Sequence, residues 1–199
     1  MSKRILLLCP ETPIAVLNRR SFLRTTGQAT LSATAIALLS GNPSLAAHKQ
    51  KQAAAANPDV SILNAALAAE YHAVAAYQVG AESGLLKPEV LKLAVQFQGH
   101  HKTHGDLLAA TVRTLGGTPA EPKARYEFPV DTLKNQADVL KFAAGLEQGA
   151  VSAYLDAVPK LGDRQLAKAA ASILGDEAMH WAVLLQALGL DPAPVAFVS

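Results

Sequence analysis

The sequence predicts an all-α protein: a four-helix bundle built from two antiparallel helical hairpins with one long crossover between them. Three observations predict it. Half of the 199 residues are hydrophobic, with few aromatics and abundant alanine, which suits one compact helical domain carrying an appended segment. Four long helical stretches between residues 58 and 190 are bounded by proline, glycine and capping residues. The connections within each half are short, which makes the paired helices antiparallel neighbours, while the middle connection is long.

The first helix is expected from Pro58 to Glu82, stopped at Ser83-Gly84, with Leu63, Ala66, Leu67, Glu70, Ala73, Val74 and Tyr77 facing inward. The second opens at Pro88, a good first-turn residue, and runs to Leu115 before Gly116-Gly117. Residues 116–130 hold three prolines and no apolar periodicity. The third is expected from about Asp131, read as its N-cap, to just before Pro159. Its inward stripe is Leu140, Ala143, Ala144, Glu147, Ala150, Val151 and Tyr154. The fourth runs from about Asp163 to Leu188 and stops at Gly189. Residues 47–57 read as a loose arm, 58–190 as the bundle, and 191–199 as a tail that folds back or dangles.

Two motifs repeat. Glu70-Tyr-His-Ala-Val-Ala-Ala-Tyr77 matches Glu147-Gln-Gly-Ala-Val-Ser-Ala-Tyr154 at five of eight positions, and Gly99-His-His-Lys-Thr-His104 pairs with Gly175-Asp-Glu-Ala-Met-His180. Similar order and spacing in the two halves argue for a duplicated hairpin. Fifteen extended residues span ~50 Å, against ~39 Å for a 26-residue helix. The middle connection can therefore traverse the whole bundle.

The polar residues within these stripes carry the chemistry. Glu177 and His180 lie three apart on one helical face that is otherwise apolar, with Ala170, Ile173 and Leu174 before them and Trp181 and Leu184 after. A carboxylate buried in such a stripe is costly unless a cation or hydrogen bonds compensate it. Glu70 and Glu147, each in its own stripe, occupy matching offsets. Read alone, either is more simply a partly solvated helix residue; together the shared offset favours a common interior site. His72 points about 200° from Glu70 around the helix and reads as surface or interface. The alanine-rich faces imply close helix approach or an oligomer seam.

This arrangement of spaced motifs resembles the ferritin-like superfamily, in particular its exported bacterial members, across nearly all of residues 58–190. Ferritin-like di-metal bundles place one Glu on each of two helices and a Glu-x-x-His on each of the other two. The resemblance implies Glu70 and Glu147 as the single glutamates, Glu177 and His180 as one pair, and His101 and His104 as the other. It also implies an Fe or Mn centre of one or two ions that oxidises Fe(II) or reduces peroxide or dioxygen, with an external reductant. Mixed carboxylate and imidazole ligation suits such ions independently of the resemblance. Tyr77 and Tyr154, seven residues beyond each single glutamate, are placed to donate hydrogen bonds to carboxylates.

His101 departs from the pattern, because histidine stands where the family has glutamate. A neutral imidazole has one lone pair and cannot bridge two ions as a carboxylate does. An altered two-metal centre, a one-metal centre and a degenerate site follow in that order. His100 adds an ambiguity, since it shares a face with His104 at four-residue spacing. The degenerate case corresponds to a non-catalytic helical stress or interaction protein.

Asn18-Arg19-Arg20-Ser21-Phe22-Leu23-Arg24 resembles the twin-arginine export signal, followed by a short, modestly apolar run and a small-x-small step at Ser44-Leu45-Ala46. Residues 1–46 are read as a removable signal that engages the twin-arginine machinery and sends the protein to the periplasm or beyond. The basic balance sits there: residues 1–47 carry +4, the remainder −2. Nucleic-acid binding gains no support from it. Cys9 is the single cysteine, so neither a disulfide framework nor a thiolate metal site is available. A homo-oligomer is compatible with this reading.

Overall fold

The computed structural model describes residues 57–198; the signal reading and most of the arm fall outside them. Four α-helices make up the fold: α1 (Pro58–Glu82), α2 (Pro88–Thr114), α3 (Gln136–Ala157) and α4 (Arg164–Ala187). Each begins where the backbone leaves an extended residue and an N-terminal N–H finds a partner or is absent. Asn57 accepts from the Asp59 N–H ahead of Pro58, and Asp163 accepts from those of Gln165 and Leu166. Gly116 and Gly189 take positive φ just past the ends of α2 and α4, a conformation that costs other residues a Cβ clash.

The third helix starts four residues later than the sequence suggested. Asp131 sits in a single 3-10 turn, Val130–Thr132, and the cap is Asn135, whose side chain accepts from the Asp138 N–H at 3.1 Å. Asp131 has the residue type of a cap, but Leu133 continues the chain in extended geometry, so no helix propagates from it.

Helix α1 packs chiefly on α2, and α3 on α4. The relative direction of the halves follows from two crossed hydrogen bonds. The Tyr77 hydroxyl donates to Glu147, and that of Tyr154 donates to Glu70 at 2.5 Å. The early part of α1 therefore faces the late part of α3, and the two helices are antiparallel. Since α2 opposes α1, α2 and α3 run the same way, and the segment joining them must traverse the bundle. This is the ferritin-like topology.

That crossover is tied down along its path. Asn64 of α1 donates to the Thr118 carbonyl and accepts from the Ala120 N–H. Further on, Tyr126 and Phe128 cover His72, with ring centroids 5.7 and 5.0 Å away. His72 is thus half-buried against the crossover, away from the central residues, which agrees with a surface or interface position. Residues 191–197 form no helix and are exposed. Among the described residues, no helix is long and apolar enough to cross a membrane.

Two apolar clusters fill the bundle. One gathers Leu63, Leu67, Leu108, Val112, Ala170 and Ile173; the other gathers Tyr77, Phe97, Leu140, Ala144 and Leu184. Along every helix the residues between these clusters are the polar ones. At one end Asp59 is buried, and its carboxylate accepts the Gly162 and Asp163 N–H groups at 2.9 and 3.2 Å. It clamps the start of α1 to the α3–α4 turn. Asp59→Ala orphans both donors and is expected to cost about 1–3 kcal/mol in denaturant unfolding. Asp59→Asn, which keeps one acceptor oxygen, should lose less.

Candidate metal centre

All four helices contribute to the polar layer. Glu70 comes from α1, His101 and His104 from α2, Glu147 from α3, and Glu177 and His180 from α4. Glu70, His101, Glu147, Glu177 and His180 are at most 3% exposed, and His104 is only partly accessible. The side chains form two overlapping groups. Glu70, His101, His104 and Glu177 make one; His101, Glu147, Glu177 and His180 make the other, with the contributing atoms of each group within 4.8 Å of one another.

Glu177 and His101 belong to both groups and straddle them. Glu177 Oε1 lies 3.1 Å from His104 Nδ1, and its Oε2 lies 3.3 Å from His180 Nδ1. His101 Nδ1 is 2.9 Å from Glu70 Oε2, while its Nε2 is 3.3 Å from Glu147 Oε1. The imidazole thus spans the layer where a second carboxylate stands in the family pattern. Its two nitrogens face the two halves, although a neutral ring offers a lone pair on only one of them.

Electrostatics balance this layer without any other ion. Burial disfavours charge on His101, but its bonds to Glu147 and Glu70 and the nearby Glu177 outweigh burial and push its pKa up to about 10. His104 is raised to about 9 against the cost of burial by Glu177 and Glu70, and His180 to about 9 by Glu147 and Glu177. Burial alone would raise Glu70, yet bonds from His101, His104 and Tyr154 leave it below the ordinary carboxylate range. Glu147 is held well below that range, burial being overcome by His101 and His180. Three carboxylates thus face three imidazoles that carry a proton at neutral pH. Burial and the carboxylate beside each ring push the Tyr77 and Tyr154 hydroxyls far up, so both remain proton donors to Glu147 and Glu70.

The layer nevertheless leaves coordination capacity unused. Glu147 Oε2, Glu177 Oε2 and His180 Nδ1 are buried with no hydrogen-bond partner. Such orphans are costly in a closed interior. Two carboxylate oxygens and an imidazole nitrogen are the donor set that an Fe- or Mn-type ion accepts. The residues present therefore fit a bound transition metal. The ring of Phe97 stacks on His180, centroids 4.0 Å apart, and fixes the plane in which its nitrogens point.

Two features around the layer escaped sequence reasoning. A groove of about 490 Å³ runs between α1 and α3 and reaches Glu70, His101 and Glu147. Its walls include Ala66, Ala69, Ala73, Gly149 and Ala150. These alanine faces were expected to bring helices together or to mark an oligomer seam; between α1 and α3 the side chains are too short to fill the space. The second feature is Asp176, whose Oδ2 lies 3.3 Å from His180 Nε2 and 3.4 Å from His104 Nε2. Its signal was present: Asp176 is four residues before His180 on the same face, and the internal repeat aligns it with His100.

Fold and polar layer together define a four-helix bundle with a buried carboxylate–imidazole centre. The chain belongs to the ferritin-like domain family, whose model matches residues 58–190. Among solved structures it is similar to a conserved hypothetical protein of Mycobacterium tuberculosis, with a TM-score of 0.61 and 24% identity over 70% of this chain and 96% of that one. It is also similar to a ferritin-like, diiron-carboxylate protein of Bacillus anthracis str. Ames, with a TM-score of 0.57 and 22% identity over 65% of this chain and 94% of that one. At these identities the likeness establishes the shared fold. No curated protein matches the chain.

The pKa directions set a pH dependence for the metal-free protein. The three histidines are raised, so their contribution is complete below the ordinary value of 6.5 and is lost as pH climbs through about 9–10. Glu70 and Glu147 are lowered, so theirs is complete above 4.5 and fades as pH falls below it. Thermal unfolding of metal-free protein should give its highest Tm between pH 4.5 and 6.5 and a clear drop by pH 9.5. A flat profile over that range would contradict the charge balance.

Proposed function

We propose that this protein is an exported ferritin-like protein that holds an Fe- or Mn-type transition metal, as one or two ions, in its central Glu/His layer. The observation that carries the reading is a set of three buried ligand atoms on α3 and α4 that make no hydrogen bond, within a cluster of carboxylate and imidazole groups from all four helices. Glu70 and His104 on one side, and Glu147 and His180 on the other, would hold the metal, with Glu177 shared and His101 serving one half. An ion of this kind supplies one-electron redox chemistry, which suits oxidation of Fe(II) or reduction of peroxide or dioxygen by an external reductant.

The chain's own part in that chemistry follows from the geometry. Tyr77 fixes Oε1 of Glu147 and leaves its Oε2 without a hydrogen bond, while Tyr154 fixes Oε1 of Glu70, whose Oε2 meets His101. The two apolar clusters keep bulk water from the ends of the layer. The alanine-lined groove gives a small neutral oxidant a path to the layer from the α1–α3 side.

A second reading has its own support. The balance of three protonated imidazoles against three carboxylates lets the bundle fold with its centre empty, as a non-catalytic stress or interaction protein would. Metal analysis separates the two. Protein recovered through its native export route is expected to carry bound transition metal, and peroxide turnover should depend on it; clean material free of such metal would leave only the second reading. Glu147→Ala with Glu177→Ala should abolish tight uptake while circular dichroism retains most of the helicity.

Uptake should also titrate. Each histidine must shed its proton to ligate, so metal affinity should rise between pH 6 and 9 and binding should acidify an unbuffered solution. A pH-independent affinity would argue against imidazole ligation.

Export belongs to the same proposal: residues 1–46 direct the folded protein to the periplasm or beyond through the twin-arginine machinery. Replacing Arg19 and Arg20 together by Lys should leave full-length precursor inside the cell, as read by fractionation and mass. Normal export of that variant would defeat the localisation.

A further inference from the structure

Outside the six residues of the central layer, His100 and Asp176 stand side by side at equivalent positions of the internal repeat, on α2 and α4. With the outer nitrogen of His180 they form a triangle. His100 Nδ1 is 2.9 Å from His180 Nε2 and 3.1 Å from Asp176 Oδ2, and the remaining edge, His180 Nε2 to Asp176 Oδ2, is 3.3 Å. Ligand atoms bonded to one ion at about 2.0–2.1 Å lie roughly 2.8–3.4 Å apart when their bonds open at right-angled to tetrahedral angles. These spacings therefore suit three donors on one face of a divalent ion. Two imidazoles and a carboxylate are a donor set for a first-row transition metal.

Exposure is graded along the triangle. The side chain of His100 is 38% accessible, that of Asp176 21%, and that of His180 2%. The His180 ring is the inner wall of this outer group and the outer wall of the central one. Its Nε2 faces Asp176 and His100; its Nδ1 is buried, has no hydrogen-bond partner, and lies 3.3 Å from Glu177 and 3.5 Å from Glu147.

We propose that His100, Asp176 and His180 form an outer capture site, from which a divalent transition-metal ion passes to the central layer. The proposal rests on the metal reading of that layer. A neutral imidazole has a single lone pair, so His180 serves the outer ion through Nε2 or the inner ion through Nδ1, one at a time. The outer site is therefore a transit position. Once Nδ1 ligates inside, the ring's hydrogen resides on Nε2 and is donated to Asp176. His104 Nε2, 3.4 Å from the same oxygen, is placed to donate in the same way. One carboxylate thereby receives the ion first and afterwards orients both inner histidines.

Stopped-flow loading of the metal-free protein with Co(II), followed by its visible ligand-field bands, tests this. The wild-type rate should saturate with Co(II) concentration, the mark of a bound intermediate. His100→Ala should lose the saturation and load roughly tenfold more slowly at low Co(II), with an unchanged end-point stoichiometry by elemental analysis. Asp176→Asn should lose the saturation too and also weaken the final affinity. Equal rates in wild type and His100→Ala would overturn the capture site while leaving the central site intact. A lower end-point stoichiometry in His100→Ala would overturn transit as well, because His100 would then hold resident metal. A wild-type protein that takes up no Co(II) would remove both the central reading and this one.

Discussion

Opposed charges in a dry layer are the constraint on which this bundle depends. Three glutamates and three histidines occupy the middle of a bundle whose upper and lower parts are apolar clusters. An ionised carboxylate in such surroundings is tolerated only when paired and hydrogen-bonded. Each glutamate therefore needs a partner on another helix: Glu70 takes Tyr154 and His101, Glu147 takes Tyr77 and His101, and Glu177 takes His104. The pairings connect α1 to α2 and α3, α2 to α3, and α2 to α4. Through them the polar layer holds the two hairpins in register, which the sparse direct packing of α1 on α3 would not do.

Substituting histidine for glutamate at position 101 changes the charge logic of the layer. Four carboxylates and two imidazoles would be formally anionic even with both rings protonated. With three of each, and the rings raised into the alkaline range, the empty layer is neutral. Metal must then displace protons as well as fill orphaned positions. Histidine at position 101 thus weakens the demand of the layer for cations.

Much of this was legible in the sequence because it follows a helical period. The stripes of α1 and α3 place Glu70 and Tyr77, and Glu147 and Tyr154, on single faces, and the repeat puts those faces at equal heights. Length alone favoured a crossover that traverses the bundle, and the crossed tyrosine–glutamate bonds agree with it. Features that depend on tertiary distance were not legible. Asp131 has the chemistry of a cap, as does Asn135, and only the backbone path of Leu133 chooses between them. Period placed His72 away from the centre, but not under Tyr126 and Phe128 of the crossover. Alanine stripes permit close approach without compelling it. Between α1 and α3 a groove remains.

The layer is consequently approached from two sides of opposite character. Between α1 and α3 the walls are mostly alanine and glycine, with His72, Asp156 and Lys160 also in the lining, and the small apolar side chains cost little to an uncharged molecule. Between α2 and α4 stand His100 and Asp176, whose nitrogen and oxygen can replace the water that an ion sheds on entry. A cation passing the alanine stretch of that wall would lose hydration that methyl groups do not replace. On the histidine side each lost water has a ligand to succeed it. With metal bound as proposed, the α2–α4 side would be the one that offers an ion ligands at the edge of the layer, and the α1–α3 groove the one that admits small neutral molecules to the same carboxylates.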